Sequence, residues 1–482
     1  MHIPKKYLNR HLLLVGMAAC WLGIAQSQGQ QIPLKHGAHR SGPRTDAAMQ
    51  TWRGYGLGQF IHWGVYAMLE GAYQGKNYAG AAEWIRAWKE VPNAVYDSLY
   101  TRFNPSAFNA RAWAAMAKQM GVRYLTFTTK HHDGFCLWPS AFTNYTIANT
   151  PFKRDIVKEV VDAYTQAGID VYLYFSVLDW YHPGWRYQLK NSNDSIAFNT
   201  FKQFTWNQLT ELATRYPSIK GFWFDGTWDE SWKKSGPFTD SLEQHLKSLI
   251  PGLVIGSRLR ADELGNRHKD ANGNLMGDYE QGWERKIPDS RTAVGNNDWE
   301  CVMTIPENGW GYAKKWMGHW KTPVELLEMT AKCVSLGGNF VINFGPMANG
   351  AFRPEEEETA ATIGRWMKQN HQAIYNSSWA SGWAKQDWGY ITQPRQPNKI
   401  NLIVFNVPVA KTLLVKPPKG TTIVKATLMV ANKTALTIKP VDYGEVQIIL
   451  PAKWNAAEPF VIELQTEFNQ KQNNAEGPKA NT

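Results

Sequence analysis

The chain has 482 residues, a formal net charge of +11 and 43% hydrophobic residues, which excludes a disordered chain and is more than one small domain needs. Lys and Arg are scattered without a long basic run, so the charge does not mark a nucleic-acid-binding protein. Cys136, Cys301 and Cys333 form no CxxC pair and are odd in number, which speaks against a disulfide framework or a structural zinc and for isolated buried thiols.

Residues 1–27 predict an export signal peptide, to be removed on the way to the periplasm or the extracellular space. Lys5, Lys6 and Arg10 give a charged start, Leu12–Ala25 is an apolar stretch too short for a comfortable membrane span, and Ala25-Gln26-Ser27 resembles a small-x-small cleavage site. Met17-Ala18-Ala19-Cys20 loosely resembles a lipobox, but apolar residues continue past Cys20, so lipid anchoring is the lesser alternative. No later apolar run is long enough to span a bilayer.

Between Gly58 and about Pro346, β-rich apolar runs predict strands at Gln59–Val65, Tyr124–Thr129, Asp170–Val177, Gly221–Phe224, Leu253–Ser257, Glu300–Thr304 and Asn339–Phe344. Several are continuous rather than alternating, as strands buried on both faces should be. Amphipathic helices are expected between them, at Ala110–Met120, Arg154–Ala167, Phe201–Tyr216 and Thr322–Leu336. This alternation predicts a (β/α)8-like barrel over residues 33–375, with a doubly wound sheet as the second choice. After Tyr375 the runs become short and β-branched, at Lys399–Phe405, Thr412–Val415, Ile423–Val430, Leu436–Pro440, Glu445–Leu450 and Phe460–Leu464. They predict a C-terminal antiparallel β-sandwich over 376–468. The polar end, 469–482, has the composition of a disordered tail.

Polar chemistry sits at or just past the strand ends. His62, His131, His132, Asp179, Asp225 and Arg258 each follow an apolar run, and in a barrel such positions converge on one face. The 23 Trp suit a sugar, whose C–H faces pack on aromatic rings while its hydroxyls need polar partners, although large cores also use Trp. Hydrolysing a glycosidic bond takes two flanking carboxyl groups. Asp225, leaving Gly221-Phe222-Trp223-Phe224 for Gly226, is placed for one of them; by itself an Asp there is more often a helix cap or turn residue. For the second, Glu280 and Glu284 in an apparent loop (277–286) and Glu300 at the start of an apparent strand are nearly equal from spacing alone. His131-His132 lacks HxH or HExxH spacing, so hydroxyl binding is a better reading than a metal. No GxSxG, GxxxxGK[ST] or GxGxxG motif stands where its chemistry would need it.

Phe60-Ile61-His62-Trp63-Gly64, Ala82-Glu83-Trp84, Lys130-His131-His132-Asp133-Gly134-Phe135, Tyr174-Phe175-Ser176 with Asp179-Trp180, Trp223-Phe224-Asp225-Gly226, Trp310-Gly311-Tyr312 and Asn339–Pro346 occur in one order. Together they resemble the α-L-fucosidases of glycoside hydrolase family 29, over about residues 45–375 and more weakly beyond. The resemblance implies a (β/α)8-like catalytic domain with a β-sandwich behind it. It also implies retaining, exo-acting removal of terminal α-L-fucose from glycans or glycoconjugates, without cofactor or metal. It makes Asp225 the nucleophile. His62, Glu83, Trp84, His131, His132, Tyr174, Trp223 and Arg258 would hold the fucose ring, with Trp310 near its methyl group. The acid/base varies within the family; the resemblance favours Glu284, then Glu300, then Glu280. A fucose-binding relative without catalysis, or a barrel glycosidase for a related sugar such as L-galactose, are the alternatives. Oligomeric state and linkage preference stay open.

Overall fold

The computed structural model describes residues 43–468, apart from 89–90, 261–268, 270–273, 308, 431 and 453–457. The expected signal segment 1–27 with Cys20, and the tail 469–482, lie outside the described residues. One sheet holds β1 (Leu57–Ile61), β2 (Tyr124–Lys130), β3 (Asp170–Ser176), β4 (Gly221–Asp225), β5 (Val254–Ile255), β6 (Glu280–Glu284), β7 (Trp299–Thr304) and β8 (Asn339–Phe344). The order is β5-β4-β3-β2-β1-β8-β7-β6, and every pairing is parallel. Between the two outermost strands, Asp278 N donates to Ile255 O (2.8 Å) and Ser257 N to Tyr279 O (3.0 Å). This seam curls the sheet onto itself, which gives the barrel-like class and not the open doubly wound one.

Strand parity divides the side chains. Phe60, Tyr124, Tyr172, Tyr174, Trp223, Val254, Val302 and Val341 point inward and pack as one cluster. Ile61, Phe127, Leu173, Phe222, Phe224 and Ile342 point outward into the core beneath the helices. The interior is unusually aromatic for a barrel, where branched aliphatics dominate, and small residues make room for it. A Cβ on Gly58 would lie 2.6 Å from the Tyr124 ring, and one on Gly221 2.5 Å from the Tyr172 ring.

The outer helices are α1 (Ala110–Met120), α2 (Ile156–Ala167), α3 (Ser192–Arg215), α4 (Gly236–Leu249), α5 (Pro323–Ser335) and α6 (Pro354–Asn370). Their ends follow local chemistry. Asn109 and Asp155 cap α1 and α2, which stop at left-handed Gly121 and Gly168; Thr322 and Glu325 form a reciprocal capping box on α5. Two expectations need correction. Helix α3 begins at Ser192 rather than Phe201, since its first turns are too polar to show a periodic apolar stripe. The segment read as a loop contains β6, a polar strand whose register slips between Glu280 and Trp283.

The second sheet is antiparallel: β9 (Ser377–Trp379), β10 (Gly389–Pro394), β11 (Lys399–Val404), β12 (Thr412–Val415), β13 (Thr421–Leu428), β14 (Thr434–Pro440), β15 (Val446–Ile449) and β16 (Phe460–Phe468), in the order β9-β10-β11-β16-β13-β14-β15-β12. The start of β14 pairs with β13 and its end with β15. The sheet turns over there, and its halves enclose one core, with Leu402 and Ile462 from one side and Leu413 and Ile448 from the other. Its back joins the barrel: Ile403 and Val461 belong to the barrel's outer core, and Trp366 Nε1 on α6 donates to Pro459 O at 2.7 Å.

Candidate active site

A cavity of about 590 Å³ opens where the barrel strands end, and its wall includes His62, Glu83, Trp84, His131, His132, Trp223, Asp225, Arg258, Glu284 and Trp310. The strand-end positions singled out in the sequence thus converge there. Asp179 and Tyr174 are the exceptions: Asp179 is buried away from the cavity in an ion pair with Lys130, and Tyr174 takes part only indirectly. Tyr174 is fully buried under the wall and reaches the site through its hydroxyl, which donates to Asp225 Oδ2 at 2.9 Å.

Asp225 shares inward parity with Trp223 and Gly221 at the end of β4. Both of its oxygens are engaged by side chains, Oδ2 by Tyr174 and Oδ1 by Arg258 Nη1 at 3.1 Å. A helix-capping or turn Asp would instead accept from the backbone just after it. Gly226 has φ +74°, and a Cβ there would lie 2.4 Å from Leu178 Cβ, so glycine is required for the turn that exposes the carboxylate.

Glu284 ends β6, and its Oε2 accepts from Arg258 Nη2 at 2.5 Å. A single guanidinium therefore spans both carboxylates. It is fixed in turn by Nε donating to Gln281 O (3.2 Å) and by lying 4.9 Å over the Trp223 ring. Burial alone would lower the Arg258 pKa, but Glu284 and Asp225 more than offset this and keep it charged. Glu300 and Glu280 do not reach the cavity. Glu300 begins β7 deep in the barrel, accepting from Trp223 Nε1 and Tyr124 OH, both at 2.8 Å. Glu280 begins β6 and accepts from Asn297 Nδ2 at 3.3 Å.

The histidines are held as neutral acceptors. Asn343 donates its Nδ2 to Trp310 O (2.8 Å), which turns its Oδ1 to His62 Nδ1 (2.7 Å). Ser176 donates to Leu178 O (2.7 Å), which leaves its oxygen to accept from His132 Nδ1 (2.6 Å). Both rings therefore carry their proton on Nδ1 and leave Nε2 as an acceptor. Burial pushes His62 down to about 4 and His132 to about 3. His132 Nε2 lies 3.8 Å from Asp225 Oδ2. The rest of the Lys130–Phe135 motif anchors the loop. Lys130 Nζ pairs with buried Asp179 at 2.8 Å, Asp133 accepts from Tyr96 OH (2.8 Å) and Phe135 N (3.1 Å), and Gly134 takes φ +83°. With strand pairing ended at Lys130, adjacent His131 and His132 both turn to the cavity, their ring centroids 4.2 Å apart. Among the described residues, no group of His, Cys, Asp and Glu is arranged to hold a metal ion.

Glu83 accepts from Gly311 N at 2.9 Å and is pushed up to about 7 by burial. Trp84 stands edge-on to His132 (5.1 Å) and stacks on Trp228 (6.0 Å). Trp310 lies 4.9 Å from His62. Sequence reasoning missed Trp88, Trp228 and Arg285 on the wall, and Asn343 and Ser176 behind the histidines. Asn343 did carry a signal, as an amide inside the otherwise apolar run Phe340–Phe344.

Paired carboxylates, neutral imidazole acceptors and aromatic walls at the mouth of a parallel barrel define a glycoside hydrolase. The comparisons give the family. A model of the family "Alpha-L-fucosidase" matches residues 25–372, and the chain belongs to that family, glycoside hydrolase family 29. The chain is 28% identical over 335 residues to the tissue α-L-fucosidase of Rattus norvegicus, covering 67% of this chain and 68% of the relative. Among solved structures, a family 29 α-L-fucosidase from Bacteroides thetaiotaomicron is 51% identical, with a TM-score of 0.87, 91% of this chain and 99% of the other being covered. Another structure of a Bacteroides thetaiotaomicron family 29 enzyme is a trapped covalent intermediate with 2-fluoro-fucosyl fluoride in a Glu-to-Gln mutant, at the same identity and TM-score, covering 91% of this chain and 100% of that one.

Proposed function

We propose that this α-L-fucosidase is retaining and exo-acting, and that it removes terminal α-L-fucose from glycans or glycoconjugates through a covalent intermediate on Asp225. The observation that carries the reading is Arg258, whose adjacent nitrogens hold Asp225 at 3.1 Å and Glu284 at 2.5 Å. Two carboxylates that share one guanidinium face each other across it, an arrangement compatible with the short retaining separation (roughly 5–5.5 Å). The trapped covalent intermediate of the Bacteroides enzyme supports the same route.

Asp225 attacks the anomeric carbon as the glycosidic C–O bond breaks, and Glu284 gives its proton to the leaving oxygen. Glu284 then takes a proton from water, whose oxygen attacks the anomeric carbon and frees Asp225. His62, His131, His132 and Glu83 bind sugar hydroxyls; Trp84, Trp223 and Trp310 wall the ring; Tyr174 and Arg258 orient Asp225. These bonds tighten as charge develops on the ring in the transition state.

With an aryl α-L-fucoside followed by NMR, the first-formed fucose is expected to be the α-anomer. Asp225→Ala should lose on the order of 10³-fold or more in kcat, with azide restoring turnover; an Asp225→Ala enzyme of full activity overturns the assignment. We also propose export, on the charged and apolar halves of residues 1–27. Protein recovered from the periplasm or medium should lack the segment up to about Ser27, whereas cytoplasmic protein with Met1 intact would refute this.

A further inference from the structure

A second cavity, about 1060 Å³, lies away from the site just described. It is a cleft at the opposite end of the barrel, where α1 and α6 end and β2 begins, against β10 and β11 of the second sheet. Lys118, Arg123, Arg365, Lys368, Arg395 and Lys399 line it, with Glu463 as its only lining carboxylate among the described residues. Glu463 is already paired with Lys399 at 2.9 Å.

The other five cations have no carboxylate partner among the described residues. Arg123 lies 5.0 Å over the Tyr375 ring, Arg365 donates to the Thr362 hydroxyl at 2.9 Å, and Arg395 donates to Gln50 O. None of these contacts cancels a charge. The carbonyl ends of α1 and α6 account for Lys118 and Lys368, which sit in last turns. They do not account for Arg123 or Arg395, which lie on no helix. Like charges in one concavity repel, and they focus a positive field on whatever anion enters. The walls also carry neutral hydrogen-bonding side chains, Gln119, Asn376 and Gln396, suited to a ligand with hydroxyls as well as charge. A flat bilayer cannot enter such a cleft.

We propose that this cleft is a non-catalytic binding site for an acidic glycan, a saccharide bearing sulfate or carboxylate groups. It keeps the enzyme on such glycans by raising the local concentration of fucose termini at the other end of the barrel. The choice of a saccharide rests on the glycan-hydrolysing reading of the active site. The binding test reads no turnover, so the two readings can fail separately.

The test is titration calorimetry of the full chain with a sulfated hexasaccharide, a uronate hexasaccharide and inorganic sulfate. A double variant, Arg123→Gln with Arg395→Gln, is compared with a control that removes two exposed lysines elsewhere on the second sheet, Lys425→Gln with Lys439→Gln. Expected are binding of at least one acidic hexasaccharide by the wild type, a loss of about tenfold or more in the double variant, little change in the control, and unchanged kcat/KM on an aryl fucoside in both. Should the double variant not fold, Arg365→Gln with Lys368→Gln, both on exposed positions of α6, carries the same comparison. The proposal is overturned if neither hexasaccharide binds, if the control weakens binding equally, if free fucose competes, or if inorganic sulfate binds as tightly as the saccharides.

Discussion

Glu284 and Glu300 differ in which end of a strand they occupy. Glu284 closes β6 at the cavity, whereas Glu300 opens β7 beneath the Trp223 ring. A Glu284→Ala enzyme is therefore expected to lose on the order of 10²–10⁴-fold in kcat/KM on substrates with poor leaving groups. It should lose far less on an activated aryl fucoside, whose leaving group departs without a proton. Glu300→Gln should lack this dependence on leaving group, and its effect should be seen in the melting temperature. Equal leaving-group sensitivity in the two variants would refute the assignment. Asp225 was legible in the sequence not from its own position, where a cap or turn is the commoner use of an Asp, but because Trp223-Phe224-Asp225-Gly226 falls in order within a series of strand-end motifs. The choice between the glutamates was not, because sequence alone did not show that residues 280–284 pair as a strand or which end faces the sugar.

At the scale of elements, what the sequence showed was apolar patterning, and what it hid was polar structure. Strand β2 and helix α1 announce themselves through continuous or periodic apolar residues. Strand β6 (Glu-Gln-Gly-Trp-Glu) does not, because its pairing partner is β7 and its own side chains are polar, and the first turns of α3 are too polar to show a stripe. Glycines inside strands were equally quiet, although β4 depends on one. A Cβ at Gly221 would lie 2.3 Å from Val254 O as well as against Tyr172. Gly221→Ala should cost about 1–3 kcal/mol, read as a lowered denaturant midpoint. Because the shift is carried along β4 to Asp225, kcat should fall too; an unchanged midpoint would show that the aromatic interior yields easily.

For the whole molecule, the order of barrel and sandwich was legible in the change of run length and β-branching near Tyr375. The docking of one on the other was not written there as a motif, although β11 (Lys-Ile-Asn-Leu-Ile-Val) hints at it. Ile400 and Leu402 face the sandwich core while Ile403 faces the barrel. Buried acids set a global pH dependence. Glu356 accepts from Gly345 N with one oxygen and has no partner on the other, and burial pushes it up to about 7. The folded state therefore binds a proton that the unfolded state releases near the ordinary glutamate value. The stability this contributes is complete below about 4.5 and is lost as pH rises through about 7, on the order of 1 kcal/mol per pH unit in that window. Glu356→Gln, which mimics the protonated acid, should make the fall in stability from pH 5 to 7 shallower; an identical slope would place the proton elsewhere.

The seam between β5 and β6 has a consequence for motion. Two main-chain bonds tie the edges there, while β1 with β8 and β2 with β3 are joined over longer ladders. Arg258 hangs from one lip and Glu284 from the other, so fraying at this line would part the proton donor from the nucleophile with the rest of the cylinder intact. The amides of Ser257 and Asp278 should accordingly exchange with deuterium sooner than those midway along β2 and β3. A sugar lying across both carboxylates would act as a clasp on the lips and slow that exchange.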